Sequence, residues 1–332
     1  MFTLLRTSFL FCVLALTASA ASEENISRQV DATPGGKLVV DVDFGTIDVT
    51  PGVDDKVALE AHRKIDFSDE AREKEYFSAT PVIITKDGNV ITVRARGLKQ
   101  DSWWNFSHAE THAQYTIHVP KKFETDLRTD GGDVAVGDIT GSTTVKTSGG
   151  KLALTRLDGI LSANTSGGSI ELEDCRGPIK IETSGGDITV ADGTGTLDAK
   201  TSGGRIEVRN FSGDTKVKTS GGNLSLQRIT GKMIGRTSGG SIRASIPADV
   251  VGDVNLQTSA GNIDLLLSAT ATVDIDASAS VGEIFSGLEL ETSDVDSEHL
   301  RGKLNGGGKS VKLKTSAGNI TIEPSSSELV SR

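Results

Sequence analysis

The sequence predicts an all-β protein, a β-solenoid built from 18-residue coils with two short strands each. Three observations predict this architecture: a Thr-Ser-Gly-Gly tetrad that returns at an 18-residue period, apolar residues that alternate with polar ones, and a composition of 38 Gly with only 4% aromatic residues. Self-similarity at a fixed period is typical of proteins in which stacked repeats share one core. A narrow aliphatic core leaves little room for rings, and the abundant glycine is expected at the corners of the coils.

The N-terminal segment 1–20 has the order of a secretory signal peptide. Arg6 is its single charged residue, an apolar run extends from Phe9 to Leu16, and a small-residue site follows at 18–20. The apolar run is too short for a membrane span, which needs roughly 20 residues. We therefore expect cleavage near Ala20 and export to the periplasm or the extracellular space, with no transmembrane segment.

The charge balance argues against a nucleic-acid binder, and the cysteine count argues against a disulfide-stabilised scaffold. The formal net charge of −10 argues against a non-specific binder of duplex nucleic acid. Cys12 lies in the signal segment, so the exported chain is expected to keep only Cys175 and to contain no intramolecular disulfide. Other repeats have an apolar residue where Cys175 stands, which indicates a small buried hydrophobe and not a catalytic thiol.

Residues 21–125 are predicted to form an N-terminal capping region that leads into the solenoid. This region contains most of the aromatic residues, which suits a cap that closes the end of an aliphatic stack. The segment Phe44–Val49 already matches the core of the repeat, so the stack is expected to begin there. A helix is predicted over Ser68–Ala79, and strands are predicted over Asn89–Arg96 and Glu110–Val119.

Residues 126–245 are predicted to form the regular repeats. We number each unit from its threonine, so the tetrad occupies positions 1–4. Positions 6, 8, 15 and 17 are apolar or small and flank polar residues, which predicts two half-buried strands per unit. Position 13 is glycine in six successive units, and this glycine and those of the tetrad are expected to supply corner conformations with positive φ. Tetrad hydroxyls are expected to bond to turn backbone and to their copies in adjacent coils. The tetrads, the first of which is Thr-Asp-Gly-Gly, begin at Thr129, Thr147, Thr165, Thr183, Thr201, Thr219 and Thr237.

Residues 246–323 are predicted to be irregular C-terminal repeats, followed by a tail at 324–332. Looser tetrads at Thr258 and Thr315 no longer keep the 18-residue spacing. Because insertions in a solenoid belong in its corners, Ser293–Gly308 is expected to be a corner loop.

These features together carry a family resemblance. A chain with a signal peptide, an aromatic-rich lead-in ending in His118-Val119-Pro120 and repeated Thr-Ser-Gly-Gly-x-Ile-x-Leu units resembles the bacterial DUF4097 family of adhesin-like β-strand-repeat proteins. The resemblance covers nearly all of the exported chain. It implies a β-solenoid in the cell envelope with an adhesin-like or envelope-stress role, and it carries over no catalytic residues.

Two groups of residues in the capping region are candidate sites. His108, Glu110 and His112 alternate along one face of a predicted strand, which makes them a weak candidate for a divalent-metal site, although a solvated polar face is the commoner explanation. Trp103 and Trp104 are adjacent in a predicted loop, where exposed rings would stack on sugars or meet a lipid surface. The favoured alternative is that these rings pack over the end of the solenoid.

A basic stripe is the third candidate site. Position 18 carries Lys146, Lys200, Lys218 and Arg236, and stacked repeats turn one position into one column. Such a column on an acidic protein is suited to a polyanion such as an acidic glycan. Asn164 and Glu182 interrupt it, and mixed charge on a solvated sheet is the usual alternative.

The sequence therefore predicts a non-catalytic extracytoplasmic protein that binds or scaffolds in the cell envelope. Its partners are expected to be an envelope glycan or protein, without nucleic acid and without a cofactor. The alternative is a carbohydrate-active β-helical enzyme, a polysaccharide lyase or hydrolase, with its site in residues 246–310 or in the Trp103 loop. That chemistry needs carboxylates at fixed outward positions, and the acids of the repeats vary from unit to unit.

Overall fold

The structure is a computed structural model that describes residues 22–66, 70–96, 110–248 and 252–325. These residues form 28 β-strands and one α-helix, so the predicted all-β class is confirmed. The strands belong to two layers, sheet A and sheet B, and the inward side chains of both layers form one continuous core. The predicted signal segment, Trp103, Trp104 and His108 lie outside the described residues.

The N-terminal region builds the first end of the stack. Its elements are β1 (Ser22–Asp31), β2 (Gly36–Val42), β3 (Thr46–Pro51), β4 (Lys56–Asp66), α1 (Glu70–Ala79), β5 (Ile83–Asp87), β6 (Val90–Ala95), β7 (Glu110–Val119) and β8 (Phe123–Thr129). Sheet A starts with β1, β4 and β7 in antiparallel pairing and continues in parallel to β3. Sheet B starts with β5 antiparallel to β6 and continues in parallel to β2 and β8. The expected helix and the two expected strands are therefore present, with residues 67–69 outside the described part.

The helix α1 rests on the antiparallel strands through a small aromatic group and a buried charge. Tyr76 packs against Phe77 in a cluster that is separate from the main core. Arg63 is only 2% exposed, and its guanidinium donates from Nε to the Glu24 carboxylate at 2.8 Å and from Nη1 to the carbonyl oxygen of Thr80 at 2.6 Å. Because a buried guanidinium needs partners, these contacts fix β1 and the end of the helix onto β4.

The regular repeats alternate between the two sheets. Their strands are β9 (Val134–Gly137), β10 (Thr143–Lys146), β11 (Leu152–Thr155), β12 (Leu161–Asn164), β13 (Ile170–Glu173), β14 (Arg176–Glu182), β15 (Ile188–Ala191), β16 (Thr194–Lys200), β17 (Ile206–Lys218), β18 (Leu224–Ile229), β19 (Met233–Arg236) and β20 (Ile242–Ile246). Paired residues stand one period apart: Leu152 pairs with Ile170 in sheet A, and Leu161 pairs with Ile179 in sheet B. These strands pair with one another in parallel, so equivalent side chains lie in columns along the stack.

The glycines at the two corners have different roles, which corrects the expectation that both supply positive φ. At position 13 the expectation is right for five of the six units; Gly177, for example, has φ of 116°. In the six Thr-Ser-Gly-Gly tetrads the second glycine is not in the left-handed region. There a Cβ on Gly168 would lie 1.9 Å from the carbonyl oxygen of Gly150 in the preceding unit. This tetrad glycine is therefore required by the close approach of backbone between neighbouring units.

The positive-φ conformation also occurs at position 10, which the sequence analysis missed. Asp138, Arg156 and Asp192 have φ of 60°, 51° and 56°, and their counterparts in neighbouring units have similar values. Asp and Asn tolerate this conformation, so their recurrence at position 10 could have predicted it from the sequence. Arginine, as at Arg156, does not predict it.

The C-terminal strands do not stack in chain order. They are β21 (Val254–Ala260), β22 (Ile263–Leu267), β23 (Val273–Val281), β24 (Ile284–Ser286), β25 (Glu291–Val295), β26 (His299–Leu304), β27 (Lys309–Ala317) and β28 (Ile320–Pro324). In sheet B, β27 lies between β21 and β23, so the last unit of the chain is inserted before the unit that precedes it in sequence.

The expected corner loop at Ser293–Gly308 is wrong. Residues there form β25 and β26, an antiparallel ribbon that continues sheet B beyond β23. Leu300 and Leu304 are each 5% exposed and pack on the core. The physical reason is that the final parallel strand has unpaired backbone groups at its edge, and the ribbon pairs with them.

Candidate binding face on the outer side of sheet B

The outward side chains of sheet B at position 18 form a basic column, which we define as the exposed basic residues in that register. The strand pairs align this position from β8 to β27. In spatial order the aligned residues are Arg128, Lys146, Asn164, Glu182, Lys200, Lys218, Arg236, Gln257 and Lys314. All four of the predicted basic residues therefore lie in one column, which is longer than the sequence indicated.

Three members of the column are direct neighbours. Lys200 pairs in register with Lys218, and Lys218 pairs with Arg236. Adjacent strands are about 4.8 Å apart, so these three cations lie closer together than the Debye length at physiological salt. Their mutual repulsion is relieved by an anion, which gives this part of sheet B a physical preference for negatively charged ligands.

Only one of these three neighbours has a carboxylate partner among the described residues. Lys200 Nζ lies 2.6 Å from a carboxylate oxygen of Glu182, and this hydrogen bond raises the pKa of Lys200. Lys218, Arg236 and also Lys146 are exposed, and no carboxylate of the described part lies within ion-pair distance of them. Their charges are therefore available to a ligand.

Two members of the column were missed by the sequence analysis. Arg128 pairs in register with Lys146 and precedes it by one period, so the period itself was a sufficient signal. Lys314 has no such signal, because it aligns with Gln257 across a separation that is not a multiple of the period. The C-terminal insertion of β27 alone places Lys314 at this position.

A shallow groove lies beside the basic column on the same face. It has a volume of about 490 Å³ and runs between the outward residues at positions 14 and 16 of five strands. Ile160 and Pro178 are among its exposed apolar residues, and Lys180, Lys216 and Lys232 supply cationic groups.

The candidate histidine group lies only partly within the described residues. His112 is exposed, and it pairs in register with Lys64, whose ammonium lies 3.7 Å from the Glu23 carboxylate. The side chain of Glu110, like His108, falls outside the described part. No group of three potential metal ligands lies together among the residues that the structure describes.

The lone cysteine of the repeats is buried as expected. Cys175 is 1% exposed, and burial raises the pKa of its thiol. A thiol that is both buried and protonated is a poor nucleophile.

A match to a protein-family model identifies the family. The Toastrack DUF4097 model matches residues 36–323. The chain belongs to the DUF4097 family. This membership confirms the resemblance drawn from the repeated tetrads.

Three solved structures are similar to this DUF4097 chain at low sequence identity. One named "putative adhesin" from Bacteroides fragilis is 14% identical, with a TM-score of 0.35 and coverage of 91% of this chain and 98% of the other. Another "putative adhesin", from Parabacteroides merdae, is 12% identical, with a TM-score of 0.33 and coverage of 91% and 96%. A "putative lipid binding protein" from Parabacteroides distasonis is 13% identical, with a TM-score of 0.36 and coverage of 90% and 96%. No curated protein matches the chain.

Within the described residues, no helix has the length and apolar character that a membrane span requires.

Proposed function

We propose that this chain is a non-catalytic, adhesin-like binding protein of the cell envelope, exported by a signal peptide that is cleaved near Ala20. In this proposal it is a β-solenoid of 18-residue coils that presents the outer face of sheet B to an acidic glycan. The basic column is the observation that carries the proposal. It places six exposed cations in one register of a chain whose net charge is −10.

A linear polyanion suits this column better than a compact anion does. The cations recur along the stack at multiples of about 4.8 Å, so a chain with a charge on each unit meets several of them at once. Each contact is weak in water, but linked contacts add up because the later ones are effectively intramolecular. A duplex nucleic acid is disfavoured, since its large charged surface would also meet the acidic surroundings of the column.

The carboxylates of the C-terminal region support a non-catalytic function. Asp253 accepts a hydrogen bond from the backbone of Ser310, and Asp274 accepts one from the backbone of Gly308. Asp276 lies 3.5 Å from the guanidinium of Arg301. These acids hold the irregular units together, whereas a lyase or hydrolase needs paired acids that face a substrate.

Binding to a panel of glycans tests the proposal. The mature protein, residues 21–332, is measured by biolayer interferometry against immobilised polygalacturonate, hyaluronan and a neutral glucan at two salt concentrations. We expect saturable binding to an acidic polymer that weakens as salt rises, no binding to the neutral one, and no release of shorter products. Product release would overturn the non-catalytic assignment.

Matched charge reversals localise the binding face. Lys218→Glu with Arg236→Glu alters the basic column, and Arg209→Glu with Arg243→Glu makes the same change in net charge on the outer side of sheet A. We expect the first pair to weaken binding about tenfold or more, and the second pair to have a much smaller effect. Equal weakening by both pairs would show that net charge, and not the column, controls binding.

A further inference from the structure

The groove on sheet B has walls of unequal chemistry. Its first wall, at position 14, consists of Ile160, Pro178, Thr196, Asp214 and Lys232, and its second wall, at position 16, consists of Ser162, Lys180, Asp198, Lys216 and Ile234. The strand pairs place these residues on five successive strands, so the groove is roughly 19 Å long. It is parallel to the basic column but uses different residues.

One end of the groove exposes aliphatic surface to solvent. Ile160 is 60% exposed, and Pro178 and Thr196 follow it on the next two strands. Elsewhere in this wall the position holds polar residues such as Asp214, as expected for the outer side of a sheet. The floor consists of strand backbone over the buried core residues Leu161, Ile179 and Leu197. Covering this aliphatic surface would be favourable by the hydrophobic effect.

The other end of the groove has lysine side chains whose charges are only partly neutralised by nearby carboxylates. Lys216 Nζ lies 2.9 Å from Asp198. Asp214 accepts a hydrogen bond from the backbone N–H of Lys232 at 3.0 Å, and no carboxylate of the described residues lies within ion-pair distance of the Lys232 ammonium. Lys180 is nearer the aliphatic end, on the same strand as Pro178, and it has no such partner either in the described part of the chain. The groove therefore combines an apolar end with an excess of positive charge.

We propose that this groove binds a single-chain anionic amphiphile, with its aliphatic chain against Ile160 and Pro178 and its acidic group at Lys216 and Lys232. The charge complementarity selects an anion, and the exposed aliphatic residues select a hydrocarbon chain. Residues two apart on a strand are separated by roughly 7 Å, so the groove accepts one chain in width. Its volume of about 490 Å³ is within the range of small-ligand sites.

Calorimetry with decanoate, kept in the monomeric range, tests the proposal on the mature protein. Decyltrimethylammonium and 1-decanol serve as probes of the same chain length with opposite charge and no charge. We expect decanoate to bind and the two other probes to bind at least tenfold more weakly. Tight binding of decanol would overturn the assignment of the lysines, and absence of decanoate binding would overturn the whole proposal.

Two pairs of variants localise the ligand. Ile160→Asp is compared with Val53→Asp, because Val53 is equally exposed, at 63%, and lies outside the groove. Lys232→Glu is compared with Lys146→Glu, which lies in the basic column. We expect the groove variants to weaken decanoate binding about tenfold or more, and the controls to leave it within about twofold. Melting temperatures verify that each variant is folded.

The decanoate measurements distinguish the groove from the basic column that is proposed to bind glycans. If the Lys146→Glu and Lys232→Glu variants weaken decanoate binding equally, the ligand is held by general charge and the groove assignment fails. If the protein binds phosphatidylglycerol vesicles but not monomeric decanoate, the ligand is a membrane surface and the proposal is wrong. The proposed glycan binding does not depend on Ile160. If the protein fails to bind acidic glycans, the decanoate measurements on the groove therefore remain valid.

Discussion

The hydroxyl of Thr183 connects two successive repeat units. Its Oγ1 donates to the carbonyl oxygen of Gly168, 15 residues earlier, at 2.9 Å, and accepts a hydrogen bond from the N–H of Gly186 in its own turn at 3.3 Å. Thr183 is only 2% exposed. The same arrangement recurs at the other regular tetrads from Thr147 to Thr237. The threonine thus satisfies backbone groups and does not bond to its own copies, which corrects that part of the sequence-based expectation.

Replacement of this threonine tests how much the bond contributes. Thr183→Val keeps the shape of the side chain but removes the partner of the Gly168 carbonyl and of the Gly186 N–H, which both belong to partly buried residues. We expect a loss of about 1–3 kcal/mol in the free energy of unfolding, measured by urea denaturation. Thr183→Ser keeps the hydroxyl, so it should lose clearly less. Equal losses for valine and serine would show that packing, and not hydrogen bonding, explains the threonine.

The two glycines of one tetrad provide a matched pair for the close-approach argument. A Cβ on Gly168 would lie 1.9 Å from the Gly150 carbonyl oxygen, whereas the nearest atom to a Cβ on Gly167 is 3.8 Å away. Gly168→Ala must therefore push neighbouring units apart and should lower the free energy of unfolding by about 3 kcal/mol or more. Gly167→Ala should stay within about 0.5 kcal/mol of the unchanged protein. A tolerated Gly168→Ala would contradict the contact that we assign to this glycine.

Alkaline pH should destabilise the capping region through its buried phenols. Burial raises the pKa of Tyr115 to about 12, while a tyrosine in the unfolded chain titrates near 10. The neutral phenol favours the folded state, so the stabilisation is complete below about pH 10 and is lost as pH rises towards 12, at about 1.4 kcal/mol per pH unit. Urea denaturation at several pH values measures this slope.

The variant Tyr115→Phe is the control for the alkaline effect. Its stability should fall less steeply with pH than that of the unchanged protein. A residual slope is expected because burial also raises the pKa of Tyr76. Identical slopes for Tyr115→Phe and the unchanged protein would refute a contribution from Tyr115.

Removing the ion pair inside the basic column should strengthen glycan binding, whereas the charge reversals at Lys218 and Arg236 should weaken it. Glu182 neutralises Lys200 at 2.6 Å. Glu182→Gln releases this cation and should strengthen binding of the acidic glycan, on the order of threefold. Glu171→Gln makes the same change on sheet A and should leave the affinity nearly unaltered. Weaker binding by Glu182→Gln would contradict the role of the column.

The C-terminal ribbon should protect the last parallel strand from association. Leu300→Asp places a charge where the side chain is 5% exposed and should detach β26 from β23. The uncovered edge of β23 would then pair with a second copy, so we expect concentration-dependent dimers in sedimentation experiments. His299→Asp, in the same strand but exposed, should sediment like the unchanged protein. A monomeric Leu300→Asp protein would show that the ribbon has no protective role.

Much of the architecture was predictable because the repeat places the same chemistry at the same position many times. The alternation around Leu152 and Ile170 predicts inward and outward faces, and the period predicts which of the outward lysines align. The ribbon at Leu300 was not predictable in this way. Its apolar residues Leu300 and Leu304 alternate with charged ones, but the glycine run that follows them is also typical of a loop.

The candidate binding face was predictable only in part. The period places Lys146, Lys200, Lys218 and Arg236 in one column, and it would also have placed Arg128. The period also aligns Ile160 with Pro178 on neighbouring strands, so this apolar pair was predictable. The groove itself was missed, because its two walls are outward positions of moderate polarity and the sequence does not show that the surface between them is concave.

The sequence by itself determined the all-β class, the family and the register of the regular units, because each of these depends on local alternation repeated at a constant spacing. Only the tertiary structure decided where β27 is inserted, and therefore that Lys314 joins the basic column. The place of β27 depends on segments that meet at a separation that is not a multiple of the period, and a spacing rule carries no information about such contacts. The structure also decided that the second glycine of the regular tetrads is needed for close approach and not for positive φ. The period aligns Gly168 with Gly150, but it does not give the distance between the two turns, which depends on the path of the backbone.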